Sequence, residues 1–157
     1  MSMKGDFAQA ISLARKNAHL TQECAAEALG LSRRVLVYYE AGEILPCDEV
    51  VAKMMQVYGS KYLGYSYLST CTLTGKALLP RIKPVSVSSG AIQLRINLKK
   101  AINEYEIIED ICSDDVIRSD ETPRFRKCVT SLDDLIASII SLKVHECCKN
   151  KKKVGAF

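Results

Sequence analysis

Arg33 and Arg34 are the side chains whose type and position most clearly indicate chemistry in this sequence. They are adjacent at the start of a predicted helix, where the positive end of the helix dipole disfavours two further positive charges. Because these two arginines destabilise their own helix, their presence indicates that the two guanidinium groups bind an external anion. The fork of N–H donors on arginine also matches the O6 and N7 acceptors of guanine. We therefore expect this helix to present both arginines to DNA.

Two short helices joined by a tight turn must position these arginines. Thr21 and Ser32 are N-cap residues that predict helices over 22–29 and 33–41, because a hydroxyl oxygen can accept a free N–H of the first turn. Gly30 ends the first helix, since glycine takes a left-handed conformation there at no steric cost. Two helices joined by a short turn that contains glycine predict a helix-turn-helix.

The second of these helices has two unlike faces. Leu36 and Tyr39 lie three residues apart and are predicted to face a core. The opposite, outward face consists of Arg33, Arg34, Val37 and Tyr38. This outward face is the candidate surface for reading DNA.

The stretch from Thr21 to Gly42, TQECAAEALGLSRRVLVYYEAG, resembles the helix-turn-helix of the lambdoid phage repressor and Cro family, the XRE family. The residues that match the pattern of that family are Thr21, Gln22, Ala26, Leu29, Gly30, Leu31, Ser32, Leu36, Tyr39, Glu40 and Gly42. Arg15 before the stretch and Pro46 after it also fit. The resemblance covers about residues 6–70, and its composition, spacing and turn chemistry agree.

The resemblance implies a sequence-specific DNA-binding transcriptional regulator, similar to the repressors of phages and prophages. The partner it implies is double-stranded DNA, with the outward face in the major groove. The residues expected to contact DNA are Thr21, Gln22, Ser32, Arg33, Arg34, Val37 and Tyr38, with Thr21 and Gln22 on phosphate. The resemblance also implies a largely buried, bidentate ion pair between Arg15 and Glu40 that ties the first helix to the third.

A protein-interaction module is the alternative function, such as an antitoxin or anti-repressor that keeps the fold and binds DNA weakly. Residues 1–70 contain seven basic and seven acidic side chains, so the first domain is neutral. Val35 and Val37 are apolar where the family is often polar. The excess behind the net charge of +4 lies in 121–157, with eight basic against four acidic side chains. DNA binding must therefore depend on local placement of charge.

The fold class predicted for the 157 residues is all-α, with two small domains. A five-helix DNA-binding domain is expected over 1–70, and the prolines, glycine and hydroxyl residues of 71–89 indicate a linker. A short acidic connector within 90–147 predicts an antiparallel helical hairpin. Residues 148–157 are expected to form a disordered basic tail.

Apolar residues repeat at steps of three and four along both helices of the hairpin. The stripes expected to pack inside it are Leu94, Leu98, Ala101, Tyr105, Ile108 and Cys112 in the first helix, and Phe125, Cys128, Leu132, Leu135, Ile139 and Leu142 in the second. A further stripe of Val129, Ile136 and Ile140 is unnecessary for two helices. Because dimers of such domains bind two half-sites ~34 Å apart, we expect this stripe to join two copies as a homodimer. The alternative is that it packs elsewhere on the same chain.

No enzymatic activity, cofactor or membrane span is predicted. His19 and His145 lack a nucleophile with an orienting acid at recognisable spacing, and no glycine-rich phosphate loop occurs. No run of eighteen apolar residues exists, and the first ten residues lack the apolar segment of a signal peptide. We therefore expect a cytoplasmic protein with no catalytic residues.

The seven cysteines are interpreted as reduced thiols, because their number is odd and no pairwise spacing pattern occurs. Those expected to be small core residues are Cys24, Cys112 and Cys128. Cys147 and Cys148 are adjacent, and such a pair can bind a soft metal or sense oxidation. Only His145 lies at ligand spacing from them, so no metal site is predicted.

Two further segments have alternative interpretations. The connector between Asp110 and Glu121 has part of the spacing of an EF-hand, but Cys112 and Asp115 replace a ligand and the required glycine. We interpret it as a solvated acidic loop. The tyrosines between 58 and 67 are interpreted as packing groups, with a stacking surface for single-stranded nucleic acid as the alternative.

Overall fold

The structure is a computed structural model that describes residues 3–146, and these residues form eight α-helices and no strand. The predicted all-α fold is confirmed. Contacts divide the chain into an N-terminal unit, which extends to Arg81, and a hairpin unit over Ile82–Lys143. The helices of the N-terminal unit are α1 (Met3–Asn17), α2 (Gln22–Leu29), α3 (Arg33–Ala41), α4 (Asp48–Tyr58), α5 (Lys61–Cys71) and α6 (Leu73–Leu78). The hairpin unit contains α7 (Val87–Ile111) and most of α8 (Thr122–Glu146).

The ends of α2 and α3 are set by the residues that the sequence indicated. Thr21 Oγ1 accepts a hydrogen bond of 3.2 Å from Cys24 N, and Ser32 Oγ accepts one of 3.3 Å from Val35 N. Gly30 ends α2 with a φ of 70°, a left-handed conformation that costs other residues free energy. These caps hold α2 and α3 at a fixed corner, which determines where the outward face of α3 points.

The core of the N-terminal unit is built from large apolar side chains. Phe7, Ile11, Leu36, Met54 and Leu63 are each at most 1% exposed, and they come from α1, α3, α4 and α5. Burying a side chain of this size contributes about 1.5–3 kcal/mol. This core fixes α3 by its inner face and leaves the other face free.

Two helices begin at residues other than those that local sequence signals suggest. Asp6 is a possible N-cap residue, but α1 begins at Met3 and Asp6 lies inside its first turn. Pro46 suits the first turn of a helix, but Cys47 takes the N-cap geometry and α4 begins at Asp48. Asp48 and Glu49 then both lie in the first turn of α4, where negative charge is favourable for the helix dipole.

The stretch predicted as a linker, 71–89, contains the helix α6 and the first residues of α7. Thr72 Oγ1 caps α6 by accepting a hydrogen bond of 3.0 Å from Gly75 N. Tyr65 Oη donates a hydrogen bond of 2.6 Å to the carbonyl oxygen of Pro80. Thr72, one of the hydroxyl residues that indicated a linker, therefore caps a helix. The N-terminal unit has six helices where five were expected.

The helices of the hairpin unit run antiparallel. Asn97 Nδ2 donates hydrogen bonds of 2.6 Å to Ser138 Oγ and 3.0 Å to the Asp134 carbonyl oxygen. Further along α7, Cys128 Sγ lies 4.0 Å from the carbonyl oxygen of Glu104. Later residues of α7 thus meet earlier residues of α8, as an antiparallel hairpin requires.

The seam between α7 and α8 consists mainly of small or polar residues. We use "seam" for the buried residues Gly90, Asn97, Ala101 and Glu104 on α7, and Cys128, Ser131 and Ser138 on α8. Ile111, the last residue of α7, is buried as well. A methyl group on Gly90 would lie 2.8 Å from Leu142 Cδ2, which shows how closely the helices approach there. Small side chains permit that approach, whereas long ones in the seam would separate the helices.

The inner stripes predicted for the hairpin are therefore wrong for several members. Leu98, Tyr105, Leu132 and Ile139 are 37–59% exposed. Their apolar spacing is that of a helix face, but periodicity alone does not tell which of two neighbouring faces meets the partner helix. Of the cysteines expected in the core, Cys128 is buried, whereas Cys24 and Cys112 are exposed.

Candidate nucleic-acid interface

The first arginine of the outward face is paired across the helix corner. Arg33 Nε lies 2.8 Å from Glu23 Oε1, and both side chains are 62% exposed. Backbone N–H groups at the start of α2 hold the pKa of Glu23 below its usual range, and Arg33 lowers it further. A pair this exposed contributes little to stability and is easily exchanged for another partner. Glu23 was not predicted as part of this surface.

The second arginine is held by its own helix. Arg34 Nε donates a hydrogen bond of 2.7 Å to Tyr38 Oη, and the guanidinium carbon lies 5.4 Å from the centre of the tyrosine ring. The planar guanidinium thus stacks on an aromatic face and keeps its remaining N–H groups available. Tyr38 acts as a support for Arg34 on the outward face.

The remaining predicted site residues lie beside these arginines. Val37 is 36% exposed on the same helix, whereas Leu36 is fully buried beneath it. Thr21 and Ser32 are exposed at the helix starts, and their oxygens accept backbone N–H groups. Their hydroxyl protons remain able to donate to a phosphate oxygen.

Gln22 contacts the carboxylate of Glu40. Its Nε2 donates a hydrogen bond of 2.9 Å to Glu40 Oε2, so the amide nitrogen contacts a carboxylate of the protein itself. The second hydrogen of this NH2 group remains able to donate to a phosphate oxygen. The structure thus connects the start of α2 to the ion pair behind α3.

Arg15 and Glu40 form a bidentate ion pair between α1 and α3. Arg15 Nε and Nη2 donate to the two carboxylate oxygens at 2.6 and 3.0 Å, and Nη1 donates to the Leu20 carbonyl oxygen at 2.8 Å. The side chains are only 9% and 8% exposed. Burial alone would raise the pKa of Glu40, but hydrogen bonds from Arg15 and Gln22 lower it overall. Because its donors and acceptors are matched, the pair ties the two helices together.

Tyr58 lies close to this pair and was not predicted to take part in it. Among the described residues its buried hydroxyl has no hydrogen-bond partner. Burial and the negative charge of Glu40 raise the pKa of Tyr58 to about 12. The phenol is therefore neutral at any physiological pH.

The acidic connector contains an arginine among its carboxylates. Arg118 forms ion pairs with Asp114 and with Glu121. Within residues 3–146 no group of three or more His, Cys, Asp or Glu side chains is arranged to hold a metal ion. Cys147, Cys148 and the basic tail of 148–157 lie outside the described residues.

The geometry around α2 and α3 agrees with a known family. Residues 11–65 match the model of the protein family described as helix-turn-helix. This part of the chain is a helix-turn-helix domain. It belongs to the DNA-binding, non-enzymatic XRE type, so the resemblance to the lambdoid repressor and Cro family is confirmed and the chain carries a DNA-binding regulatory domain. Comparison with curated proteins and with solved structures found no match.

The helix-turn-helix match includes the whole outward face of α3 and the Arg15–Glu40 pair. It ends before α6 and the hairpin unit. None of the helices in the described part of the chain has the length and apolarity that crossing a bilayer requires.

Proposed function

We propose that the protein is a sequence-specific DNA-binding regulator of transcription, similar to a phage or prophage repressor and acting in the cytoplasm. The observation that carries this proposal is the outward face of α3, where two arginines lie exposed above a buried core. This face is at the second helix of the helix-turn-helix domain, the element that enters the major groove.

The two arginines suit different parts of this task. Arg34 is held against Tyr38, so it loses little side-chain freedom when its N–H groups bind guanine O6 and N7. Arg33 can leave Glu23 for a base or a phosphate, because both groups are exposed. The backbone N–H groups at the starts of α2 and α3 provide further donors for phosphate.

A protein-interaction module with weak DNA binding is the second candidate. It is favoured by the Arg33–Glu23 pair, since Glu23 neutralises one of the two arginines and repels phosphate. The bond from Gln22 to Glu40 also occupies one of the two amide N–H donors of this side chain. In this case the exposed Val37 would contact a protein partner.

We also propose that two copies act together on two half-sites. A single helix-turn-helix covers only one half-site, and dimers of such domains bind two half-sites ~34 Å apart. Of the residues proposed to join the copies, Val129 and Ile136 are 37% and 42% exposed, and Ile140 is partly buried. The apolar surface needed for a homodimer is thus present in the hairpin unit.

An electrophoretic assay with fragments of total genomic DNA at physiological salt separates the two functions. A regulator should retain a few fragments at least ~10³-fold more tightly than bulk DNA, as specific binders typically do. The same chain with both Arg33→Ala and Arg34→Ala serves as the control and should retain none of them selectively. If the intact protein binds every fragment equally weakly, the interaction module is the better account.

A further inference from the structure

Six exposed apolar residues of the hairpin unit each directly follow a seam residue. On α7, Leu98 follows the seam residue Asn97, Ile102 follows Ala101, and Tyr105 follows Glu104. On α8 the residues that directly follow Cys128, Ser131 and Ser138 are Val129, Leu132 and Ile139. One residue turns an α-helix by about 100°. Each set therefore lies a quarter turn from the seam, in the same rotational sense.

These two sets lie on the same side of the hairpin. Two antiparallel helices are exchanged by an approximate two-fold axis that is perpendicular to the plane containing both of them. Residues that lie the same rotation away from the seam on each helix therefore lie on the same face of the hairpin. The residues before the seam positions confirm the opposite side. Lys100 precedes Ala101 and pairs with Asp134 at 3.2 Å, and Lys127 precedes Cys128 and lies 3.9 Å from Glu104. One side of the seam thus carries these two ion pairs, and the other carries the six apolar residues that follow the seam positions.

We call that second side the apolar face. Its members are Leu98, Ile102, Tyr105, Val129, Leu132, Ile136 and Ile139, which are 37–61% exposed. Fully covered, they would bury on the order of 600 Å² per copy, near the ~800 Å² per partner of a standard protein interface. The face is therefore large enough to be the centre of a stable contact.

The centre of the apolar face, without Ile139 at its end, has similar spacing in both directions along the helices. Ile102 lies between the Asn97–Ser138 and Glu104–Cys128 contacts, which places it about level with Leu132. Leu98 and Tyr105 stand on either side of Ile102, four and three residues away. On α8, Val129 and Ile136 stand three and four residues from Leu132. A surface with this symmetry fits a second copy of itself turned end for end.

The charges beside α7 have the same symmetry with opposite signs. Arg95 lies seven residues before Ile102, and Glu109 lies seven residues after it. Seven residues are close to two helical turns, so both flank the apolar face. Both are exposed, and within residues 3–146 neither forms an ion pair. Reversing the helix about Ile102 brings the position of Arg95 onto that of Glu109.

We propose that the apolar face binds a second copy of this chain, with α7 antiparallel to α7 and α8 antiparallel to α8, centred on Ile102 and Leu132. Arg95 of each copy then faces Glu109 of the other. This arrangement deepens the two-half-site part of the proposed function, and it rests on that part for its role. It gives α7 half of the interface, where the sequence indicated only Val129, Ile136 and Ile140.

Light scattering on the full chain without DNA, at micromolar concentration, tests the face. The intact protein should have the mass of a dimer, and Ile102→Asp should have the mass of a monomer with an unchanged helical circular dichroism signal. The control is Ile96→Asp, since Ile96 is 51% exposed but precedes Asn97 on the opposite side. This variant should remain a dimer. A monomeric intact protein, or a dimeric Ile102→Asp variant, would overturn the proposal.

Charge reversal tests the antiparallel register. Arg95→Glu or Glu109→Arg places like charges opposite each other twice in the dimer, and each should raise the dimer Kd about tenfold. An equimolar mixture of the two variants should regain the intact affinity, because each contact then joins opposite charges. If mixing restores nothing, α7 does not meet α7. A dimer that binds no DNA contradicts only the proposed function, and a monomer that binds DNA contradicts only this interface.

Discussion

The two units of the molecule differ in the side chains that make up most of their buried helix contacts. In the N-terminal unit Phe7 and Met54 are almost fully buried among other large apolar residues. In the hairpin unit Ser131 and Asn97 are buried, whereas Ile102 is 61% exposed. The first unit thus collects several large apolar side chains in one core, and the second leaves several of its own exposed on one face. The difference indicates that a core of large apolar side chains holds the first unit together, whereas small and polar side chains make most of the buried helix contact in the second.

The difference also separates two ways of stabilising helix contacts. The N-terminal unit adds one matched ion pair to an apolar core, and the hairpin unit uses hydrogen bonds between small polar side chains. Removing a partner should cost most where the remaining group is charged and buried, and less where it is neutral. The predictions that follow compare the units on this basis.

The largest effect is expected for the ion pair of the N-terminal unit. Glu40→Ala leaves the buried guanidinium of Arg15 without its carboxylate, so the free energy of unfolding should fall by roughly 3–5 kcal/mol. Urea unfolding followed by circular dichroism measures this change. The control is Glu43→Ala, since Glu43 is exposed just beyond the end of α3 and its loss should cost less than about 0.5 kcal/mol.

The free energy of unfolding of this unit should also fall at acidic pH. The pKa of Glu40 is lowered in the folded protein, so its contribution is present above the usual value of 4.5 and is lost as the pH falls through the lowered value. Equal losses in the Glu40→Ala and Glu43→Ala variants would show that the pair does not hold α1 to α3.

An intermediate effect is expected in the seam of the hairpin unit. Asn97→Ala removes the hydrogen bonds to Ser138 and Asp134 and should cost about 1–3 kcal/mol. Ser138 Oγ still donates to the Asp134 carbonyl oxygen at 2.9 Å, which limits the loss. Thermal unfolding at one fixed protein concentration is the measurement, and Asn103→Ala on the exposed side of α7 is the control. An unchanged melting temperature for Asn97→Ala would mean that the polar seam does not hold the hairpin.

The smallest effect at neutral pH is expected for Tyr58→Phe. The hydroxyl has no partner within the described residues, so its removal should change stability by less than about 1 kcal/mol. At alkaline pH the variant should gain relative to the intact protein. The unfolded chain releases the phenol proton near pH 10, and the folded protein keeps it to about pH 12, so the intact protein loses stability between these values.

Tyr65→Phe provides a comparison for the neutral-pH effect. Tyr65 donates to the Pro80 carbonyl oxygen at 2.6 Å, so its variant should cost about 0.5–1.5 kcal/mol at pH 7. If Tyr58→Phe costs as much, its hydroxyl has a partner after all.

Local chemistry made the helix-turn-helix of the N-terminal unit predictable from its sequence. Thr21, Ser32 and Gly30 mark the ends of α2 and α3 because caps act within a few residues. The resemblance then indicated that Arg15 and Glu40 are partners, although they lie 25 residues apart. The sequence did not indicate the contacts that depend on how α2 and α3 meet, such as Glu23 with Arg33.

The hairpin unit was predictable only in part. Apolar spacing located α7 and α8, but Leu98 and Tyr105 have the same period as the residues that pack inside a hairpin. Buried Asn97, Ser131 and Ser138 look like surface residues when only the sequence is read, because polar residues are mostly exposed. Which face of each helix forms the seam therefore depends on how closely the two helices approach, and local sequence patterns carry no information about that distance.

The central claim is that the outward face of α3 reads base sequence, and single arginine variants test it most directly. Fluorescence anisotropy should compare the intact protein with Arg33→Ala and Arg34→Ala on a cognate fragment and on random DNA at the same salt concentration. The account predicts a loss of about 1–3 kcal/mol on the cognate fragment for each variant, and little change on random DNA. Equal losses on both DNAs would contradict base reading and leave the arginines only a contact to phosphate.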